Sequence, residues 1–213
     1  MKDITPEVLI GLVESLAGTF EEEESFLNEL DSKVGDGECG TNLRKAFRTA
    51  SDRLKAKPPE DAVSLVEQLG MHLITSSGGT IGLLFGVGIH AAGKEAGGGS
   101  GFKKAADVVR MGNAAIEAIQ TRGKARTGDK TFLDALVPAV AAFSDSINNG
   151  ASADKALSEA VKSARQGAEA TTGMIAQRGR ASYLGGRSMG HIDPGARAFA
   201  LALESVQRYL INT

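Results

Sequence analysis

Apolar positions recur at helical spacing from the start of the chain. Thr5-Pro6 pairs a capping hydroxyl with a proline suited to the first helical position, and Val8, Leu9, Leu12, Val13 and Leu16 follow on one face. A second segment, over 20–30, sets Phe26, Leu27 and Leu30 on one side and the acidic run at 21–24 on the other, which predicts a solvated face. Helices are predicted next over 43–54, stopped by Pro58-Pro59, over 61–74, entered by Pro59-Glu60, and over 80–96 and 103–120. The last three cover 131–147, where Pro138 is expected to introduce a kink, 152–172, capped by Ser152 or Asp154, and 194–210. Gly82, Gly86 and Gly88 suit close helix packing, and Gly97-Gly98-Gly99-Ser100-Gly101 reads as a flexible connection. Alternating β-branched runs bounded by turns are missing, so the pattern predicts an all-α bundle or closed helical barrel with glycine loops at one end.

Composition narrows the partners. The chain has 213 residues, enough for one large domain over 1–213, and no linker divides it. A net charge of −2 with both signs interspersed lacks the basic excess of a nucleic-acid or membrane-surface protein, so small molecules or proteins are the expected partners. Neither a signal-like start nor an apolar run of ~20 residues is present, which predicts no membrane span. A single cysteine, Cys39, excludes an internal disulfide and fits a reducing cytoplasm.

The richest chemistry lies in Leu30-Asp31-Ser32-Lys33-Val34-Gly35-Asp36-Gly37-Glu38-Cys39-Gly40-Thr41-Asn42. Three carboxylates, from Asp31, Asp36 and Glu38, offer hard oxygens to a divalent cation, and the glycines let backbone N–H groups approach an anion. An EF-hand is excluded because Lys33 and Gly35 occupy the third and fifth loop positions counted from Asp31. Magnesium shared with nucleotide phosphates fits; so does an Asx-rich turn capping a helix that starts near Gly40.

Three further loops carry polar or cationic groups. Thr75-Ser76-Ser77-Gly78-Gly79-Thr80-Ile81-Gly82 sets hydroxyls and glycines before a helix, where N–H groups and the helix dipole favour anions or where simple capping suffices. It is not a Walker A loop. The stretch from Arg122-Gly123-Lys124 to Gly128-Asp129-Lys130-Thr131 mixes cations with turn residues, as a site or a charged surface turn would. In the basic, glycine-rich 178–195, Arg180 and its neighbours could stabilise a transferring phosphoryl group. The same stretch contains Gly186-Arg187-Ser188-Met189-Gly190, the letters of a serine-hydrolase elbow, but that elbow requires a strand before it and a distant histidine rather than the adjacent His191. His72 and His90 sit at apolar helix positions, where packing explains them better than metal ligation.

Taken in order, these four segments resemble the nucleotide-binding subunit, or L domain, of dihydroxyacetone kinases, the DhaL-type or DAK2 domain. The resemblance spans essentially the whole chain. Its strongest pieces are Leu30-Asp31 onward to Gly40, Gly78-Gly79 onward to Gly86, Arg122-Gly123-Lys124 with Gly128-Asp129-Lys130-Thr131, and Gly179-Arg180-Ala181-Ser182-Tyr183-Leu184-Gly185 with Gly190-His191-Ile192-Asp193-Pro194-Gly195. It implies an eight-helix antiparallel barrel with adenine nucleotide at one rim, one helix fewer than the segments counted above. It also implies that Asp31, Asp36 and Glu38 hold two Mg2+ ions against the phosphates of ADP or ATP. Cys39, Gly40, Thr41, Asn42, Thr80 and Ile81 would line the nucleotide, Gly123 and Phe132 flank the adenine, and Arg180 act as the catalytic residue on phosphate oxygens. Asp193, Pro194 and Gly195 would close the pocket.

In this family dihydroxyacetone is held by a histidine of a separate K subunit or domain, so the resemblance makes the chain half of a kinase. Two positions depart from the pattern. Glu38 stands where the family usually has Asp, and Cys39 stands where subunits fed by the phosphoenolpyruvate phosphotransferase chain carry His and single-chain ATP-dependent kinases carry Cys. The donor implied is therefore either ATP or a bound ADP re-phosphorylated by a phospho-carrier subunit. A related ketose such as erythrulose, a nucleotide-sensing regulatory subunit that binds a transcription factor, and a homodimer are the alternatives in substrate, role and assembly.

Overall fold

The structure, a computed structural model, describes residues 4–99 and 101–212; Ser100 of the predicted glycine connection lies outside the described residues. Helix α1 (Pro6–Glu22) starts where Thr5 Oγ1 accepts the Val8 N–H at 3.4 Å. After Glu23 alone comes α2 (Glu24–Ser32), then α3 (Cys39–Ala56), α4 (Ala62–Ser76), α5 (Thr80–Gly97) and α6 (Ala105–Gly123). Next are α7 (Leu133–Asn148), α8 (Ala153–Ala170), two 3₁₀ segments (Thr171–Gly173 and Arg180–Ser188) and α9 (Pro194–Asn212). The cap of α8 is Ser152, whose Oγ accepts the Lys155 N–H at 3.3 Å. The described residues contain no strand, as the hydrophobic pattern predicts.

The nine α-helices of the described residues reduce to eight rods because α1 and α2 are one interrupted helix. Glu23 leaves the helical region (φ −95°, ψ 7°), yet its N–H still reaches Thr19 O and its own carbonyl accepts from Leu27. Both pieces lie along α3. From there each rod packs on the next in sequence, and α9 returns against α1, so the helices close into a ring. Short connections make neighbours antiparallel, which places alternate loops at the same rim.

Two packing regimes build the wall. Phe20, Phe47, Phe85, Phe132 and Phe199 form a chain of ring contacts with centroids 4.7–5.8 Å apart, filled out by Leu16, Leu27, Leu43, Leu54, Leu65 and Leu73. Each such buried side chain contributes about 1.5–3 kcal/mol. On the far side α7, α8 and α9 meet through Ala135, Ala139, Ala156, Ala160, Ala164, Ala168, Ala196 and Ala200, whose small side chains let the helices approach closely. The seam of α4 and α5 is also close: a Cβ on Gly70 would fall 2.4 Å from His90 N, and one on Gly86 2.7 Å from Ile74 N. Packing therefore explains Gly86, and His90 sits in that seam with Nδ1 3.2 Å from Glu67 O. Pro138 stands inside α7 and has no N–H for Asp134 O; α8 brings Gly167 against that carbonyl, where a Cβ would lie 2.1 Å away.

Two local expectations change. The acidic run is solvated only at Glu21 and Glu22; Glu24 is half-buried, bound by Arg44 Nε at 2.7 Å and by the Thr41 hydroxyl at 2.8 Å. Helix α3 begins at Cys39, next to the start near Gly40 that the turn reading gives and ahead of the apolar period at Leu43, because Cys39 and Gly40 already face inward although neither carries a long apolar side chain.

Candidate functional site

Connections 33–38, 77–79, 124–132 and 171–193 share one rim, where they surround a cavity of about 570 Å³. The first residues of α3, α5, α7 and α9 (Cys39, Thr80, Leu133 and Pro194) all line it. Four helix N-termini thus meet one space with the positive ends of their helix dipoles; the first N–H groups of α3, α7 and α9 are largely capped by Asp31, Thr131 and Asp193, while α5 starts at Thr80 with no side-chain cap. Such a space suits an anion.

The acidic wall comes from 31–38. Asp31, at the end of α2 and 9 % exposed, accepts the N–H of Glu38 at 3.0 Å and of Cys39 at 3.2 Å on Oδ2. It therefore caps α3 from the preceding helix. Asp36 is exposed and paired with the Arg180 guanidinium, and Glu38, the N-cap of α3, makes no side-chain cap bond. All three line the cavity, but among the described residues no three His, Cys, Asp or Glu side chains converge as a metal cluster.

Beside it, against the first turn of α3, stands the hydroxyl-glycine loop. Ser77 Oγ donates to Gly79 O at 2.7 Å, and the Asn42 amide lies flat on Gly78 and Gly79, where a Cβ would come within 2.8 and 2.9 Å of it. The inner surface is apolar: Ile81, Leu84, Ile119, Gly123 and Phe132, the last 4 % exposed and edge-on to Phe85. One wall thus offers charge and backbone N–H groups and the other a flat apolar face, as a phosphate joined to an aromatic base needs.

Burial shifts three titrating groups that line the cavity, raising Asp193 and Cys39 and lowering Lys130. Asp193 caps α9 by accepting the Ala196 N–H at 2.8 Å, and desolvation raises its pKa to about 7; Asp134 adds to the rise, and the Ala196 N–H and Lys130 oppose it. Cys39 is pushed well above the usual thiol range, first by burial and then by Asp31 and Asp193, so it lines the cavity as a neutral S–H.

Among the predicted residues, Asp31, Asp36, Glu38, Cys39, Asn42, Thr80, Ile81, Gly123, Phe132, Arg180, Asp193, Pro194 and Gly195 are brought together around the cavity. Gly40 and Thr41 are not among its lining. Thr41 turns to α2, with its hydroxyl on Glu24 and its N–H on Asn28 Oδ1 at 3.1 Å, while Gly40 lets α2 approach so closely that a Cβ would lie 2.1 Å from Glu24 O. Ser188 is fully buried, takes the Ala176 N–H at 3.0 Å and donates to Gly185 O at 2.6 Å, in a segment with no strand before it. It holds a loop and cannot serve as a nucleophile. Lys130 and Arg178 line the cavity although the sequence did not mark them as site residues; their one signal was membership of the two basic loops.

The DAK2 domain model matches residues 33–208. The chain belongs to the DAK2 domain family. It is 34 % identical over 185 residues to the PEP-dependent dihydroxyacetone kinase, ADP-binding subunit DhaL, of Escherichia coli (strain K12), covering 87 % of this chain and 88 % of that subunit. Triokinase/FMN cyclase of Homo sapiens is 37 % identical over 192 residues, 88 % of this chain but 32 % of that protein. The crystal structure of the dihydroxyacetone kinase from C. freundii in complex with AMP-PNP and Mg2+ superposes with a TM-score of 0.72 at 29 % identity, over 93 % of this chain and 33 % of that one. The all-α ring described above is thus the fold of this DAK2 domain, which spans about a third of the longer relatives. No helix among its described residues is long and apolar enough to cross a membrane.

Proposed function

We propose that this DAK2 domain is the nucleotide-holding subunit of a dihydroxyacetone-type kinase, presenting the terminal phosphoryl group of a magnesium-bound adenine nucleotide to a hydroxyl of dihydroxyacetone carried by a separate K subunit. The observation that carries the reading is the cavity itself, with four helix N-termini and Arg180 facing the acidic wall and Phe132 on the inner face. The names of the E. coli subunit and of the AMP-PNP complex support it.

Magnesium fits the residues present. It takes one or two protein carboxylates and completes its shell with water and phosphate oxygens, so three converging acids are not required. Asp36 already faces a cation, the Arg180 guanidinium, and Asp31 and Glu38 share its cavity. These acids would hold the ion or the two ions expected, which when bound neutralise phosphate charge. The chain's own part is positioning: the uncapped α5 N-terminus receives phosphate oxygens, Phe132 and Gly123 orient the base, and Arg180 faces charge on the transferring group.

Either ATP or a phospho-carrier that recharges bound ADP can supply the phosphoryl group, and Cys39 is the position that differs between those two kinds of relative. Denaturing freshly purified protein and identifying the released nucleotide separates them. Stoichiometric, non-exchanging ADP supports the carrier route; an empty site supports ATP. Nucleotide titration with and without Mg2+ tests the core reading, which fails if no binding is seen or if Asp36→Ala leaves binding unchanged.

A further inference from the structure

The segment Gly128-Asp129-Lys130-Thr131 has no part in the function as described, yet its geometry is unusual. Gly128 (φ 93°) and Lys130 (φ 59°) are both left-handed, a conformation that costs a non-glycine residue about 1 kcal/mol or more. The turn is held there by Asp134 in the first turn of α7, whose two carboxylate oxygens accept the N–H of Gly128 at 2.5 Å and of Thr131 at 2.7 Å. The result is that the Lys130 side chain points inward, 1 % exposed.

Its ammonium donates to two backbone carbonyls, Thr171 O at 2.6 Å and His191 O. Those carbonyls stand at the two feet of the 171–193 loop that carries Arg180. The feet are also knitted by Gly190 N–H to Thr172 O at 2.8 Å and Asp193 N–H to Thr171 Oγ1 at 2.8 Å. Next door, Asp129 grips the outer part of the loop: its carbonyl accepts the Gln177 N–H at 3.0 Å and its Oδ2 the Arg178 Nε–H at 3.3 Å. A long, glycine-rich loop is thus fastened at four points by two consecutive residues, and beyond the fastening its Arg180 meets Asp36 across the cavity. Burial lowers the pKa of this ammonium, and Asp193 and Asp134 beside it offset that effect only in part, so its two carbonyl partners are what hold it in place.

We propose that Lys130 is a positioning residue: it pins both feet of the 171–193 loop and thereby sets where Arg180 stands over the cavity. The catalytic half of this inference rests on the kinase reading above; the pinning half does not. The test is Lys130→Met in the full chain, read first by amide hydrogen exchange. Exchange in 174–190 is expected to rise roughly tenfold or more while α1 to α5 stay within about twofold, the pattern of a local opening. Mixed with a dihydroxyacetone-loaded K subunit and Mg-ATP, or Mg-ADP with its phospho-carrier, the variant is expected to lose about 100-fold in kcat with the nucleotide KM within about threefold, as misplacement of one group predicts. In an Arg180→Ala background, Lys130→Met is expected to add less than about threefold, because the two act as a unit.

Unchanged exchange in 174–190, an even rise over the whole ring, or kcat losses that multiply would each overturn the proposal. Local loosening without any transfer by the wild type would leave the pin standing and remove the kinase reading instead. Lys130→Gln, which keeps an N–H donor, replaces the methionine variant if that fails to fold. The wild type supplies its own check: fast exchange at the amides of Gln177, Gly190 and Asp193 overturns the proposal with no variant at all.

Discussion

Asp31→Ala in metal-free buffer separates what the acidic loop does for the fold from what it does for a ligand. Oδ2 of Asp31 satisfies two amides at the start of α3 that have no helical partner, at 3.0 and 3.2 Å. Losing a cap to alanine costs about 1 kcal/mol and up to about 2. The charge near the helix N-terminus adds about 0.3–1 kcal/mol, and a buried amide left unpaired costs about 1–3 kcal/mol. These terms overlap, and a total of about 2–4 kcal/mol is expected; at ~2–4 °C per kcal/mol for a chain of this size, Tm should fall by roughly 5–15 °C. Asp31→Asn keeps an oxygen for the amides and should lose about half as much. Asp36→Ala, at an exposed ion pair, should stay within about 1 kcal/mol of wild type. Thermal melts in excess EDTA decide the matter. If Asp31→Ala melts within about 2 °C of wild type there, the carboxylate does not hold α3, and the capping argument is wrong.

Three further outcomes are expected. Phe132→Ala should lose about 3–5 kcal/mol in urea denaturation, the usual cost of emptying a buried aromatic site, and should weaken nucleotide binding; full affinity in the folded variant would remove Phe132 from the base site. Because the Asp193 pKa is raised to about 7 in the folded state, the fold binds a proton that the unfolded chain has released between about pH 4 and pH 7. Stability should therefore fall by up to a few kcal/mol as pH rises through that window and level off above it, and Asp193→Asn should remove that slope from the pH dependence of ΔG; a variant with the same slope would contradict the assignment. Ser188→Ala should cost about 1–3 kcal/mol by leaving the buried Ala176 N–H without its acceptor, with no ester hydrolysis in either form; an esterase activity that the substitution abolished would reinstate Ser188 as a nucleophile.

The helices were legible because their signals are local. Thr5-Pro6, Ser152 and the leucine spacing of α1 each specify a conformation without knowledge of the partner helix. What escaped depends on distant segments meeting. Glu24 looks like one of four equivalent surface glutamates until α3 brings Arg44 and Thr41 to it, and Lys130 looks like a turn lysine until its left-handed backbone turns the side chain toward Thr171 and His191. The start of α3 was blurred for a different reason: its first turn is built of cysteine, glycine, threonine and asparagine, so it carries no apolar period. Thr41 shows the limit of position-by-position transfer, since a residue flanked by cavity-lining neighbours on a helix still points to another face.

The closed ring has no structural first helix. Because α9 lies against α1 and the rods alternate in direction, Pro6 and Asn212 emerge beside each other at the rim away from the cavity. The turn at 149–152 lies at that same rim, exposed at Asn149 and Gly150. A circular permutant that joins the present ends through a short linker and opens at this turn would change the order in which the rods are synthesised while leaving all four connections around the cavity uncut. Such a chain should still assemble the same cavity rim, since that rim is defined by the neighbours each helix keeps and not by which helix comes first.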